Sequence, residues 1–212
     1  MQATQYGAYP VQFSVDYPDR PLDRLTSAFR VFVAIPILIL IGTVAGSTWQ
    51  FTTHNGTTKT IGGAGGLLFF GPLLMLVFRR KYPRWWFDWN LELLRFSNRV
   101  WIYLALMDDR YPSTDEQQSV HLDIPYPDAQ RLNQWLPLFK WFLAIPHYVL
   151  LLFLGIGAFV ATVVAWFAIL FTGTYPRGLF DFVAGVFRWS NRVVGYAFIL
   201  ATDEYPPFSL NP

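Results

Sequence analysis

The stretch FRRKYPRWWFDWNLELLRFSNRV (78–100) decides the fold, because a second copy, FTGTYPRGLFDFVAGVFRWSNRV, occupies residues 171–193. The two copies share 11 of 23 residues, whereas unrelated sequences share about one or two at ordinary residue frequencies. Flanking stretches also repeat, so the chain is an internal duplication. The predicted organisation is an N-terminal tail (1–10), repeat 1 (11–113), a polar joint (114–119) and repeat 2 (120–212).

The composition points to a membrane protein. Hydrophobic residues make up 53% of the chain and charged residues 14%, against about 25% charged in an ordinary soluble domain. The net charge of +2 gives no reason to expect a nucleic-acid partner. Because the chain has no cysteine, disulfides, cysteine-ligated zinc and iron–sulfur clusters are excluded.

Repeat 1 contains two stretches of suitable length to cross a membrane, which takes about 20 mostly apolar residues. The predicted spans are about 29–46 and 61–78, and the polar stretch 47–60 between them is expected to be an exposed loop. Pro36 lies within the first span and Pro146 at the matching place in repeat 2. Each proline predicts a helix kink.

Repeat 2 contains one long apolar run, residues 138–172. A single helix of that length measures about 50 Å, which is long for one simple span. The Gly-Ile-Gly stretch 155–157 interrupts the run, and the comparison with repeat 1 favours a helical hairpin. The predicted spans are therefore about 135–154 and 158–173, which gives an all-α membrane protein with four transmembrane helices in two parallel-repeat hairpins.

The basic residues predict the orientation of these hairpins. Of 16 lysines and arginines, only Lys59 lies in a loop between paired spans. The positive-inside rule then places both termini and the joint on the cytoplasmic side. Each repeat has the same orientation, as expected for parallel repeats related by an axis along the membrane normal.

A helical stretch follows each hairpin, at 84–107 and 177–201, with a narrow polar stripe on an otherwise apolar helix. The stripe residues are Arg84, Asp88, Glu92, Arg95 and Arg99 in repeat 1, and Arg177, Asp181, Arg188 and Arg192 in repeat 2. An arginine near the middle of a membrane span costs about 2.5–3.5 kcal/mol. The expected position is therefore the cytoplasmic membrane interface, where each repeat forms an amphipathic interfacial helix.

Three interpretations of the stripe remain open. Ion pairs such as Arg84–Asp88, Arg177–Asp181 and Glu92–Arg95, with the other arginines reaching lipid phosphates, would make the stripe structural. The stripe would otherwise dock another protein, or bind an anionic headgroup between the repeats. Ser97 and Ser190 face away from the stripe, and no nucleophile is predicted.

His147 is the one histidine within a predicted span, and it is a possible intramembrane polar site. A structural role is the favoured interpretation, because the kink at Pro146 frees backbone carbonyls to which its ring can donate. No histidine has metal-ligand spacing, so neither a metal nor a cofactor is predicted. The alternating patterns VQFSVDY (11–17) and VHLDIPY (120–126) predict short strands that pair with one another or with the C-terminal segment.

The stretches AIPHYVLLLF (144–153), RWSNRV (188–193) and DEYPPF (203–208) resemble a family of bacterial membrane proteins known as a domain of unknown function. Repeat 2 follows the family pattern closely, whereas repeat 1 has Ile37 in place of its histidine and Ser113 in place of the second proline of YPPF. The resemblance implies a bacterial membrane setting and no established activity.

These observations predict a non-enzymatic accessory or scaffold subunit of the bacterial cytoplasmic membrane. Its expected partners are the lipid bilayer, anionic headgroups and another membrane protein, which docks within the membrane or on the cytoplasmic face. The alternative is a protein that binds anionic lipid, or transports lipid or a small molecule, and uses Arg95, Arg99, Arg188 and Arg192. A lipid-acting membrane enzyme is the third hypothesis.

Overall fold

A computed structural model describes residues 9–44, 49–52, 58–61, 70–114 and 116–212. Repeat 1 contains β1 (Gln12–Val15), α1 (Arg24–Ala28), α2 (Arg30–Val33), α3 (Ile35–Val44), β2 (Trp49–Thr52), β3 (Thr58–Ile61), α4 (Phe70–Arg79) and α5 (Arg84–Leu104). Repeat 2 contains β4 (Val120–Asp123), α6 (Pro137–Leu143), α7 (Ile145–Thr172) and α8 (Arg177–Ala197). The described chain is thus mostly helical.

The first strands of the two repeats pair with each other and thereby join the repeats. β1 and β4 form an antiparallel ribbon in which Phe13 lies opposite Leu122, which confirms the predicted pairing. β1 packs on α8, and β4 packs on α5. Each strand therefore lies against the long helix of the other repeat, so the repeats exchange their strands.

The first apolar helix of each repeat breaks just before its proline, as predicted. α2 ends one residue before Ala34 and α3 follows it, and Ala144 separates α6 from α7 in the same way. Pro36 and Pro146 each lack the N–H that continues a helix, and each ring clashes with the carbonyl four residues earlier. The kink therefore follows from the repeated Ala-Ile-Pro sequence.

The predicted hairpin in repeat 2 is wrong, because α7 runs unbroken through Gly155–Gly157. Its 28 residues correspond to about 42 Å of helix. Gly157 serves helix packing instead of a turn, since a Cβ on it would lie 3.3 Å from the ring of Phe182 on α8. Among the described residues α7 is the one helix long and apolar enough to cross a membrane, so four transmembrane helices are not supported.

Among the described residues, repeat 1 has counterparts of the two ends of α7. α3 aligns with the first ten residues of α7 and α4 with the last ten. Between them, where a loop was expected, β2 and β3 form an antiparallel hairpin. Residues 45–48, 53–57 and 62–69 lie outside the described residues, as do 1–8 of the predicted tail. Of the predicted span 61–78, the structure therefore describes Ile61, the last residue of β3, and the stretch from Phe70 onward.

The helices are arranged in layers. α8 packs against α7 on one side and against β1 on the other, while α5 contacts α3 and β4. The apolar helices of the two repeats meet at both ends. The Trp166 indole donates to the Ser27 carbonyl (3.1 Å) at one end, and the Gln134 amide donates to the Val77 carbonyl (2.6 Å) at the other. The result is an outer layer of apolar helices, a middle layer of α5 and α8, and an inner layer formed by the β1–β4 ribbon.

Candidate functional site

The repeated blocks RFSNRV and RWSNRV meet at the centre of the molecule. The Asn98 side-chain amide donates to the Asn191 carbonyl oxygen, and the Asn191 amide donates back to Asn98, both at 2.8 Å. Both side chains are buried, and each amide also donates to the carbonyl four residues earlier in its helix. This reciprocal pair marks a pseudo-twofold axis between α5 and α8.

The first arginine of each block holds the exchanged strand of the other repeat. Arg95 Nε donates to the Leu122 carbonyl at 2.9 Å, and Arg188 Nε donates to the Phe13 carbonyl at 3.0 Å. These two carbonyls belong to residues that are paired in the ribbon. The two arginines, on different helices, therefore bind the same residue pair of the ribbon. Hydrogen bonds from a charged donor contribute about 1.5–3 kcal/mol each.

The other N–H donors of these two arginines have different partners in the two repeats. Arg95 forms an ion pair with Glu92 at 2.6 Å, whereas Arg188 donates to the Leu210 carbonyl at 2.6 Å. Gly185 occupies the place of Glu92, and a Cβ there would lie 2.9 Å from Leu210. The C-terminal tail (residues 198–212) therefore replaces the missing glutamate as the partner of Arg188.

The second arginine of each block binds the tail of its own repeat. Arg99 donates to the carbonyls of Ser113 (2.9 Å) and Thr114 (3.2 Å). Arg192 donates to those of Ser209 (3.3 Å) and Asn211 (2.9 Å). Both arginines are buried. This geometry gives them a positioning role inside the protein, while a contact with lipid or partner stays a prediction.

Burial lowers the pKa of both arginines in the second block. For Arg188 burial is the main cause, and the carboxylate of Asp181 opposes it. For Arg192 the positive charge of Arg188 adds to the effect of burial and lowers the pKa further. An arginine stays charged at neutral pH even so, so a half-buried and a fully buried cation lie side by side with backbone carbonyl oxygens as their hydrogen-bond acceptors.

The first turns of α5 and α8 are exposed. In each of them an arginine lies over a tyrosine ring of the other repeat. Arg84 lies over the ring of Tyr126 (5.4 Å), and Arg177 lies over the ring of Tyr17 (4.0 Å), again across the exchanged strands. Arg84 also pairs loosely with Asp88 at 3.9 Å. The predicted Arg177–Asp181 ion pair is not formed among the described side chains. The polar stripe is therefore exposed at its start and buried at its end.

His147 is fully buried beside α8 and the tail. The Trp189 indole donates to its Nδ1 at 2.9 Å, and the ring stacks on Phe208 with centroids 4.1 Å apart. The expected bond to a freed helix carbonyl is not seen within the described part of the chain, where Nε2 has no hydrogen-bond partner. His147 joins α7 to α8 and the tail, and Ile37 stands in its place in repeat 1.

A pair of buried cations was missed by the sequence analysis. Arg30 donates to the Asp108 carbonyl and Lys140 to the Thr202 carbonyl, each at 2.7 Å. Lys140 is fully buried and also pairs with Asp203 at 2.7 Å. The available signal was the matched position of the two cations in FRVFVAIP and FKWFLAIP, where every neighbouring side chain is apolar.

Residues 136–209 match the model of a protein family described as Domain of unknown function (DUF4389). No curated protein and no solved structure matches the chain. The matched segment contains α6, α7, α8 and most of the tail, so it includes His147 and the second RWSNRV block. It agrees with the resemblance to a family of unknown function, and it assigns no activity.

Proposed function

We propose that the protein is a non-enzymatic, membrane-embedded accessory or scaffold subunit of the bacterial cytoplasmic membrane. The observation that carries the proposal is the outer face of α7, which is apolar and uncovered along its whole length. Phe153, Phe159 and Phe171 are exposed over 65%, 70% and 79% of their surface. A face of this kind is stable in lipid and unstable in water.

The extent of this face supports embedding over a chance surface patch. Exposed apolar residues recur through every turn of α7: Val149, Leu152, Phe153, Ile156, Phe159, Val160, Val163, Val164, Phe167 and Phe171. Soluble monomers rarely expose a contiguous apolar patch above a few hundred Å². Transfer of such surface into an apolar medium yields about 25 cal/mol per Å².

The opposite face of the protein, formed by the exposed side of the β1–β4 ribbon, is polar. The solvent-facing residues of the β1–β4 ribbon are Gln12, Ser14, His121 and Asp123. Because α8 and α5 lie between the ribbon and the outer layer, the polar and apolar faces are on opposite sides of the protein. This polarity supports a ribbon in the cytoplasm and an outer layer in the membrane.

The internal use of the arginines favours a scaffold over the alternative lipid role of the stripe. Arg95, Arg99, Arg188 and Arg192 all donate to backbone carbonyls of strands and tails. These contacts fix the shape of the polar face. A rigid polar face on a membrane-held body suits the docking of a protein partner.

Extraction from membranes at alkaline pH tests the embedding. The wild-type chain is expected to stay in the pellet, whereas Phe153→Glu/Phe159→Glu is expected to leave the membrane or fail to accumulate. Ser14→Glu, on the ribbon, is the matched control and should behave as wild type. Extraction of the wild-type chain into the supernatant would contradict membrane embedding.

Site-specific photo-crosslinking tests the scaffold role. A photoreactive residue at position 14 or 121 should yield an adduct with a protein, and one at position 159 should yield lipid adducts. Absence of protein adducts from the ribbon, together with migration of the chain alone after mild solubilisation, would overturn the scaffold function and leave the embedding intact.

A further inference from the structure

The bend after the second apolar helix differs sharply between the repeats. Repeat 1 reads RRKYPR (79–84), whereas repeat 2 reads TGTYPR (172–177). The last three residues are the same, so the bend has the same Tyr-Pro-Arg exit in both. Repeat 1 therefore adds three cations, which the shared fold does not require.

One of these cations occupies a strained position. Arg80 has φ 48°, and its counterpart in repeat 2 is Gly173 with φ 76°. A glycine takes up this left-handed conformation without strain, while a residue with a Cβ does not. An arginine kept at a glycine position indicates that its side chain has a use at the bend.

Within the described part of the chain, the cations of the bend have no acidic partner. No ion pair or hydrogen bond involves the Arg79 or Lys81 side chain among the described residues. Arg80 donates to the neutral Gln134 side chain at 3.1 Å. Arg80 and Lys81 line a cleft together with Asp128. The Asp128 carboxylate is already paired with Arg131 at 3.3 Å. The bend thus carries an excess of positive charge.

The surroundings of the bend are apolar and aromatic. Phe78 directly precedes the cations and is 77% exposed, and Trp85 directly follows Arg84 and is 69% exposed. Trp135, on the segment that Arg80 contacts through Gln134, is 61% exposed. Cations flanked by exposed tryptophan at the end of an apolar helix match the headgroup depth of a bilayer.

We propose that the Arg79–Arg80–Lys81 bend binds the phosphate headgroup of an anionic phospholipid in the cytoplasmic leaflet. The guanidinium groups and the ammonium group bind the phosphate oxygens, while Phe78 and Trp85 contact the glycerol and the first acyl carbons. A free phosphate ion would use only the cations. The inference rests on the proposed membrane embedding and adds a site that repeat 2 lacks.

Native mass spectrometry of the full chain in mild detergent, supplied with phosphatidylglycerol or phosphatidylcholine, tests this site. The wild-type chain should retain phosphatidylglycerol over phosphatidylcholine. The triple variant R79Q/R80Q/K81Q should lose this preference by about tenfold or more, because each cation near an anionic surface contributes about 1 kcal/mol. The control R20Q/R24Q/R110Q removes the same charge elsewhere and should keep the preference.

Equal retention of the two lipids by the wild-type chain would overturn the proposal, as would an equal loss in the triple variant and the control. Complete displacement of phosphatidylglycerol by excess inorganic phosphate would show that the bend binds phosphate without regard to lipid, and would also overturn it. Thermal unfolding of each variant checks that it is folded. The alkaline extraction is a separate measurement, so a failure of the embedding is recognised independently.

Discussion

Repeat 1 and repeat 2 build the same polar frame beneath different outer helices. In both, the first arginine of the repeated block holds the exchanged strand, the asparagine pairs across the axis, and the second arginine binds a tail. A leucine with positive φ follows the end of each of α5 and α8, Leu106 at 63° and Leu200 at 60°. The frame is therefore common to the two repeats down to a strained residue.

The outer layers differ in two places. α7 is continuous, whereas its counterpart in repeat 1 is divided into α3 and α4 around the β2–β3 hairpin. The bend that follows has Gly173 in repeat 2 and Arg80 in repeat 1. The difference shows that the contacts of α5, α8 and the ribbon are kept in both repeats, whereas the outer helices and the bend have diverged.

The asparagine pair gives the largest expected effect on stability. Asn98→Ala and Asn191→Ala each leave a buried amide without its partner, so each should lower the free energy of unfolding by about 2 kcal/mol. The double variant should lose about the same amount as either single variant, because the unpaired amide is removed. Thermal unfolding in mild detergent measures the cycle. Additive losses would show that the two amides do not pair.

The strand-holding arginines sharpen the comparison between the repeats. Arg188→Met removes bonds to two carbonyls of separate segments, whereas Arg95→Met removes one such bond and a partly exposed ion pair. Because both arginine side chains are partly exposed to solvent, the expected loss is about 1.5 kcal/mol for Arg188 and about 1 kcal/mol for Arg95. Denaturant unfolding of both variants checks the ranking, and a larger loss in Arg95→Met would contradict the contacts of the tail.

Substitutions at Arg80 and Gly173, the matching residues of the two bends, should change the stability of the protein in opposite directions. Arg80→Gly removes the left-handed strain and should stabilise the chain by about 1 kcal/mol, while Gly173→Ala should destabilise it by about 1 kcal/mol. A Cβ at Gly173 has room, with its nearest neighbour at 3.6 Å, so the effect is conformational. Melting temperatures measure both changes, and a destabilised Arg80→Gly variant would remove the argument from strain.

The glycines of α7 give the smallest effect and test its continuity. Gly155→Ala faces open space and should stabilise a continuous helix by about 0.5–1 kcal/mol. Gly157→Ala should gain less, since its Cβ would lie 3.3 Å from Phe182. The comparison uses melting temperatures in detergent. A hairpin turn at this site predicts a loss of stability for both variants.

The sequence was sufficient to predict the helices α5 and α8, the pairing of β1 with β4, and the helix breaks before Pro36 and Pro146. It was insufficient for α7, because a glycine that ends a helix and one that admits Phe182 of a neighbouring helix look alike in a sequence. The exchange of strands and the asparagine pair were also missed. They depend on which helix faces which, and Asn98 lies just outside the polar stripe on a helical wheel.

The central claim is that the outer layer lies in lipid while the β1–β4 ribbon lies in water, and single cysteines test it most directly. The chain has no natural cysteine, so Phe159→Cys and Ser14→Cys each report one site. In inside-out membrane vesicles, a membrane-impermeant maleimide should label Ser14→Cys rapidly and Phe159→Cys only after detergent is added. Equal labelling of both before detergent would contradict the account.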